Sequence, residues 1–521
     1  MRDSSRNRAR QDREVIAGID LGTVFSSLGT LSPEGEIRLL ANCDGNTLTP
    51  SALYFEDANK CYVGEEALEM AHIEPWNVVQ FVKSHMGEPD FELVLHGQEW
   101  SPQELSSLII RKLIEDAEEE LCQSINSAVI TVPANFNSAQ RLATQEAAEL
   151  AGVNVLEIIS EPCAAALSVE QPLGTTHMIF DLGGGTFDVA ITTRKTEKEI
   201  VVTSSSGDQT LGGKVWDDLI VNEVANKFVQ LTGEDPRDLP ESFQELHRSC
   251  VLAKEALTSR TSATISVSHS GLRENIAITR QRFEELSQHL LQRALVCCEE
   301  ALKGAGLQWS SPDKIILVGG SSKMPMISRF IEDCAGFEPI LHDNPDSAVT
   351  MGAAIIASQI DANGTMPLGE SGLNDNKNSL KPSVKDATGH SLGILAMDQN
   401  YQQHFLEMIA PHTQIPAEAK GRFAYAYDGM TSVQVLVVER RSIERDSEGD
   451  IIGTLSLTDL PSRPRGTPID VVYRYDNDRI LQVDIIDVET GVGNKSTLDL
   501  TGALGDKLEA KKVDIRTMVI G

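Results

Sequence analysis

The sequence has no Cys-x-x-Cys pair, no run of about 18 apolar residues, and no surplus of basic side chains. Its eight cysteines are scattered at 43, 61, 122, 163, 250, 297, 298 and 334, and the final third has none. This excludes a disulfide framework and a zinc site, and best fits a reducing cytoplasm. Cys297 and Cys298 are adjacent on an expected helix, point in different directions, and read as structural. Without a long apolar run, no membrane span is expected. Lysine and arginine total 45 against 77 acidic residues, a formal net charge of −32. A general nucleic-acid binder needs positive surface to displace counterions, so that class is excluded; the same charge favours solubility. Arg2, Arg6, Arg8, Arg10 and Arg13 have no hydrophobic segment behind them, so residues 1–14 read as a disordered basic arm, not a secretory leader.

At 521 residues, with 41% hydrophobic and 23% charged content, the chain calls for two or three domains. Three glycine turns punctuate the first 360 residues. In Ile-Phe-Asp-Leu-Gly-Gly-Gly-Thr-Phe-Asp-Val-Ala-Ile, residues 179–191, two β-type runs flank a bend. Glycines there let backbone N–H groups close around an anion. Asp181 and Asp188 would repel phosphate directly, and make sense if hydrated Mg²⁺ lies between carboxylate and phosphate. The alternative is an ordinary glycine-rich hairpin. Residues 16–31 repeat the plan around Asp20-Leu21-Gly22-Thr23. A third turn, Val-Gly-Gly-Ser-Ser-Lys-Met-Pro at 318–325, leads from a strand into a helix, whose N-terminal N–H groups would sit near an anion.

These three loops, in this order, resemble the ATPase domain shared by actin, sugar kinases and the heat shock protein 70 (DnaK-type) chaperones. The chaperone branch is selected by Asp-Leu-Gly-Gly-Gly-Thr-Phe-Asp, by Val-Ile-Thr-Val-Pro-Ala-Asn-Phe-Asn-Ser-Ala-Gln-Arg at 129–141, by Ser-Glu-Pro-Cys-Ala-Ala-Ala-Leu at 160–167, and by Asn-Pro-Asp-Ser-Ala-Val-Thr-Met-Gly-Ala-Ala at 344–354. The resemblance runs from about residue 15 to about residue 500. It implies an actin-like, duplicated ribonuclease-H-like α/β ATPase domain at 15–360, a linker at 361–390, an all-β sandwich that binds peptides at 391–500, and a tail at 501–521.

The resemblance also implies roles. ATP or ADP would be held by Asp20, Gly22, Thr23, Val24, Gly183, Gly184, Gly185, Lys254, Ser259, Gly319, Gly320, Ser321, Lys323 and Asp346, with Asp20 and Asp181 reaching Mg²⁺ through water. Lys83, Glu161, Asp181, Thr186 and Asp188 would carry hydrolysis, and Pro133 and Arg141 would relay nucleotide state between domains. Three positions depart from the family pattern. Val24 replaces a hydroxyl in the first loop, Val251 stands where a ribose-contacting glutamate is usual, and Lys323 replaces an arginine that lies over adenine.

Periodicity adds local detail. Ser101-Pro102-Gln103-Glu104 forms a capping box for a helix over about 101–122, and a strand at 128–132 ends at Pro133 with Arg141 starting the next helix. Helices dominate 215–259 and 280–305, with strand-like 262–268 and 274–279 between them. Residues 361–390 read as a long linker. Short strands follow at 403–409, 421–427, 432–438, 451–457, 468–474 and 479–487, a sandwich signature. By resemblance, Ile394, Met397, Phe423, Ala426, Val433 and Val435 line a peptide cleft, while composition alone makes them sandwich core. Family members usually continue with a helical lid over the cleft; residues 501–521 hold at most one short helix, so the lid is expected to be missing.

The expected function is ATP-dependent binding of extended apolar segments of unfolded polypeptides, with a J-domain co-chaperone and a nucleotide-exchange factor as partners. Turnover is expected to be slow. Interdomain coupling is expected to be weak, because Leu380-Lys381-Pro382-Ser383-Val384-Lys385-Asp386 replaces the leucines that dock as an edge strand in the family. The alternatives are a nucleotide-binding scaffold or holdase that hydrolyses poorly, and a sugar or acetate kinase.

Overall fold

The computed structural model describes residues 15–88, 90–360, 383–397, 402–441, 449–476, 481–489, 491, 493–497, 515 and 517–521. The basic arm, most of the linker and residues 501–514 lie outside them.

Two sheets repeat one plan. In the first, β1 (Val15–Asp20) pairs antiparallel with β2 (Phe25–Leu31), β2 pairs antiparallel with β3 (Ile37–Leu39), and β1 pairs parallel with β4 (Ile125–Val132), which pairs parallel with β5 (Asn154–Ser160). In the second, β6 (Thr176–Leu182) and β7 (Phe187–Thr196) form the glycine hairpin, β8 (Glu199–Asp208) extends it, and β9 (Lys314–Val318) and β10 (Ile340–Leu341) add in parallel on the other side. Each sheet therefore begins with a hairpin whose bend carries one glycine loop.

The two sheets share a core with α3 (Glu161–Ser168) and α6 (Ala348–Ala357), formed by Val129, Ile159, Ile179, Ala190, Ile316, Ala164 and Ala353. Small residues allow this approach. A Cβ on Gly352 would lie 1.8 Å from the Ala164 carbonyl oxygen, and one on Gly18 would lie 2.1 Å from the Ala354 nitrogen. Further helices include α1 (Pro102–Leu121), α2 (Ser138–Ala151), α4 (Gly213–Thr232) and α5 (Pro240–Ser259), besides Glu65–Met70, Arg280–Gly304 and Pro325–Ala335. α1 has the expected capping box, with both Ser101–Glu104 bonds formed and Pro102 in the first turn. The helical stretch expected at 215–259 consists of α4 and α5, separated because Gly233 takes a left-handed cap at φ 83° and Pro240 opens a new helix. α2 begins before Arg141, capped by Asn137.

The second part is a sandwich. β12 (His390–Met397), β13 (Gln403–Ile409), β15 (Val433–Arg441) and β16 (Asp450–Leu457) form one sheet; β14 (Ala417–Ala424), β17 (Pro468–Tyr475), β18 (Leu481–Asp487) and β19 (Gly493–Thr497) form the other. Leu392, Val437 and Leu455 from the first sheet meet Ile469, Tyr473, Val483 and Ile485 from the second.

Two expectations are corrected here. Residues 361–390 are not linker throughout: β11 (Ser383–Lys385) pairs in parallel with β8, and β12 begins at His390. The segment was expected to resist docking because of its proline and lysines. In the structure, pairing needs only three residues: Val384 packs on the shared core, Lys385 forms an ion pair with Glu199 at 2.8 Å, and Ser160 donates to Asp386 at 3.0 Å. The expected tail, 501–521, also contributes a strand. Val519–Ile520 pairs in parallel with strand Lys60–Val63 of the first domain.

Candidate functional site

A cleft of about 570 Å³ opens where the glycine loops converge. The first two loops touch: a Cβ on Gly185 would fall 2.4 Å from the Thr23 hydroxyl oxygen, and one on Gly184 would fall 2.4 Å from Val24 Cγ2. Any larger residue would force the hairpins apart, so glycine is needed here for approach. Behind the second loop, Gly213 N–H donates to Gly183 and Lys214 N–H to Gly184, seating the start of α4 against the bend. Ser51 Oγ donates to the Gly22 carbonyl, and Gly22 N–H donates to Ser26 Oγ. From the third loop, Ser321 Oγ donates to the Gly183 carbonyl at 2.9 Å, and Gly319 holds φ 79° against Leu182 and Asp181.

At the floor of the cleft lies a charged cluster that no local sequence window contains. Phe81 takes a left-handed backbone at φ 62°, and the 3-10 turn Val82–His85 that follows buries Lys83. Lys83 Nζ contacts Glu161 at 2.5 Å, and both side chains are under 10% exposed. Asp20 accepts from Thr131 Oγ1 at 2.7 Å, and Asp188 Oδ1 accepts from Ala134 N–H at 2.8 Å.

Burial raises the carboxyls of Asp20 and Glu161 above their ordinary range, even though Lys83 opposes it. Burial and the Glu161, Asp188 and Asp20 charges push Asp181 well up. Burial and Glu161 lift Asp188 to about 8. Burial opposes charge on Lys83, but the Glu161 and Asp20 carboxylates outweigh it and hold the amine above its usual value. Four acids thus share one ammonium.

This arrangement fits a bound cation beside a phosphate chain. Among the described residues, Asp188 Oδ2 is buried with no hydrogen-bond partner, and the glycine loops leave space a side chain would fill. Among the described residues, no three acidic, histidine or cysteine side chains converge as direct ligands, so an ion here would be reached through water.

Most of the residues expected from sequence line this cleft: Asp20, Gly22, Thr23, Val24, Lys83, Glu161, Asp181, Gly183, Gly184, Gly185, Thr186, Lys254, Gly319, Gly320, Ser321, Lys323 and Asp346. Ser259 does not: it is exposed and donates to the Ala256 carbonyl, while Thr258, one residue earlier on α5, lines the cleft. Lys254 is paired with Asp217 at 2.8 Å, and Lys323 with Asp346. Asp188 sits just behind the lining, as its bond to Ala134 requires. Sequence reasoning missed Asp217, His72, His247 and Arg248. Of these only Asp217 had a signal, a carboxylate one turn into a helix after Leu211-Gly212-Gly213. Arg248 donates to His72 Nε2 at 3.0 Å across the cleft mouth.

The expected relay pair is joined. Arg141 donates to the Pro133, Ala134 and Phe136 carbonyls at 3.4, 3.2 and 3.2 Å. The same loop meets the sandwich: His390 Nε2 lies 2.9 Å from the Asn135 carbonyl, and Ser138 N–H donates to Glu439 at 3.0 Å. In the sandwich, Ile394 and Val435 are buried in the core, as composition alone suggested, so they offer no open wall. Phe423, Ala426 and Val433 are half-buried, and Met397 is 52% exposed.

A two-lobed cleft with hairpin glycine loops, a buried lysine and a carboxylate cluster defines a nucleotide-binding domain of the phosphate-clamping kind. The Hsp70 protein family model matches residues 16–518, and the chain belongs to that family of DnaK-type chaperones. It is 36% identical over 501 residues to the chaperone protein DnaK of Halobacterium salinarum, covering 94% of this chain and 76% of the relative. It is 35% identical over 526 residues to that of Thermotoga neapolitana, covering 98% and 83%. The family's architecture, an actin-like ATPase joined to a β-sandwich, agrees with the repeated sheets and the sandwich seen here.

Proposed function

We propose that this chain is an ATP-dependent chaperone that hydrolyses ATP slowly and binds extended apolar segments of unfolded polypeptides. The observation that carries this reading is the meeting of the two hairpin loops over Lys83, Glu161, Asp20, Asp181 and Asp188. Bound Mg²⁺ would neutralise charge on the β- and γ-phosphates, which phosphoryl transfer requires more than covalent help. Thr23, Thr186 and the backbone at Gly183–Gly185 would hold the phosphates. Asp20, Asp181 and Glu161 would order the waters around the ion. Thr186 would orient the attacking water, Asp188 Oδ2, in its ionised form, would accept its proton, and Lys83 Nζ would meet the developing charge. Val24 supplies no hydroxyl to the phosphates, which slows turnover.

Apolar peptides bind the sandwich by main-chain hydrogen bonds at a strand edge, with Met397, Phe423, Ala426 and Val433 supplying side-chain contacts. A J-domain co-chaperone and a nucleotide-exchange factor are the proposed partners. Coupling runs from Asp188 through Ala134 and Arg141 to His390 and Glu439, and through β11. It is weak, because Val384 is the apolar anchor of that strand. The second reading, a scaffold that holds nucleotide without much hydrolysis, is favoured by Val24 and by the pairing of Lys323 with Asp346.

The test is thermal stabilisation by ATP with and without Mg²⁺, followed by single-turnover hydrolysis. Nucleotide bound to the native state adds RT ln(1 + [L]/Kd) to stability. Asp181→Asn is expected to remove the Mg²⁺-dependent part of the shift. A parent shift that ignores Mg²⁺ refutes the site as drawn, and binding without turnover selects the scaffold.

A further inference from the structure

Ile515 and residues 517–521 lie against the first domain and are built into it. Val519 N–H donates to the Asn59 carbonyl and Gly521 N–H to the Cys61 carbonyl, both at 3.0 Å, giving a parallel edge strand. Arg111 on α1, oriented by Glu115 at 2.7 Å, donates to the carbonyls of Ile515 at 2.6 Å and Met518 at 3.0 Å. Ile515 and Met518 are 2% and 6% exposed and pack in one cluster with Leu53, Phe55, Cys61, Trp100 and Leu108. A Cβ on Gly521 would lie 2.3 Å from the Tyr62 ring, so the position is shaped to glycine. Main-chain pairing, an arginine clamp on two carbonyls and two buried anchors are how a sheet edge recognises an extended segment.

The sheet that receives this strand also forms one wall of the cleft. Strand Ala52–Asp57 pairs with Lys60–Val63 on one side and with Val78–Gln80 on the other. Ala52, Gln80 and Phe81, with Glu65, Leu68 and His72 just beyond, line that wall; Gln244, His247 and Arg248 of α5 line the opposite one. The Arg248–His72 contact links the two walls at the cleft mouth.

We propose that the edge of strand Lys60–Val63, together with Arg111 and the apolar face of α1, is a strand-docking site whose occupant is the chain's own Ile515 and residues 517–521. Its occupancy stiffens the wall and slows nucleotide release. The second half of this proposal rests on the nucleotide-binding reading above. The site takes a short apolar strand with small residues at its end, and tethers the peptide-binding half to the nucleotide lobe at a point separate from β11.

The experiment pairs amide hydrogen exchange with release of a fluorescent ADP analogue, on the full chain. In the parent, the Val519 and Gly521 amides are expected to be protected, independently of protein concentration. Met518→Asp is expected to lose that protection and to release nucleotide faster by on the order of tenfold. Met518→Leu keeps both parental values, as does Val519→Thr, because Val519 is 59% exposed. Adding the peptide Ile-Arg-Thr-Met-Val-Ile-Gly to Met518→Asp slows release again. Unprotected amides in the parent overturn docking, and protection that disappears with dilution of a dimer assigns the strand to a second copy, which also overturns the proposal. An unchanged release rate in Met518→Asp overturns the restraint. A parent that protects these amides but binds no nucleotide refutes the nucleotide reading and the restraint with it, and supports docking.

Discussion

Replacing Lys83 with methionine tests whether the cleft is built around charge balance. Lys83 is 6% exposed and is the ammonium beside Glu161, with Asp20 and Asp188 also acting on it. Removing one partner of a buried pair costs about 3–5 kcal/mol when the other stays charged. Protonation limits that cost. Bringing a glutamate of ordinary pKa 4.5 to its neutral form costs about 1.36 kcal/mol per pH unit, hence about 3.4 kcal/mol at pH 7 and about 2 kcal/mol at pH 6. The expected stability loss is therefore about 3 kcal/mol at pH 7, shrinking by about 1.4 kcal/mol for each unit the pH falls. Urea unfolding of the nucleotide-free protein at pH 6, 7 and 8 reads this directly. Single-turnover hydrolysis should drop by about 10²–10³, the usual loss for removing one preorganised charge-stabilising group, while ADP affinity changes little. Near-parental hydrolysis, or a stability loss that grows as pH falls, refutes the reasoning.

Asp188, lifted to about 8, binds more protons folded than unfolded up to that pH, and the upward shifts of Asp20, Glu161 and Asp181 act in the same direction. The nucleotide-free chain should therefore lose stability as pH rises from the ordinary carboxylate range through about 8. Asp188→Asn should flatten part of that slope in melting curves between pH 5 and 8.5, and a melting temperature that rises across this window would contradict the cluster. Val384→Asp should undock β11: it loses roughly 1 kcal/mol of partial apolar burial and places a charge against the core. Peptide stimulation of ATP turnover, weak in the parent, should vanish, while Val384→Leu strengthens it. Equal stimulation in all three chains would exclude β11 from coupling.

The hairpins, the α1 capping box, most of the sandwich strands and the three glycine loops of the cleft were legible in the sequence. Each of these depends on short-range rules, in which glycine permits close approach, a capping box marks a helix start, and alternation marks a half-buried strand. The phosphate loops were legible because a loop that accepts an anion must carry its chemistry within a few consecutive residues. What the tertiary structure decided is what distance along the chain conceals. Lys83 and Glu161 lie 78 residues apart, and their pairing exists only because the Phe81 turn and α3 meet in one cleft. On α5 the cleft takes Thr258, not Ser259, because rotation by one helical residue, about 100°, chooses which side chain faces the ligand. Ile394 and Val435 went to the core, since inward and cleft-facing apolar residues have the same composition. The docking of β11 and of Ile515 and residues 517–521 was equally hidden. A sheet edge accepts a strand through main-chain groups that every sequence carries, so what selects the partner is the surface already waiting on the other domain.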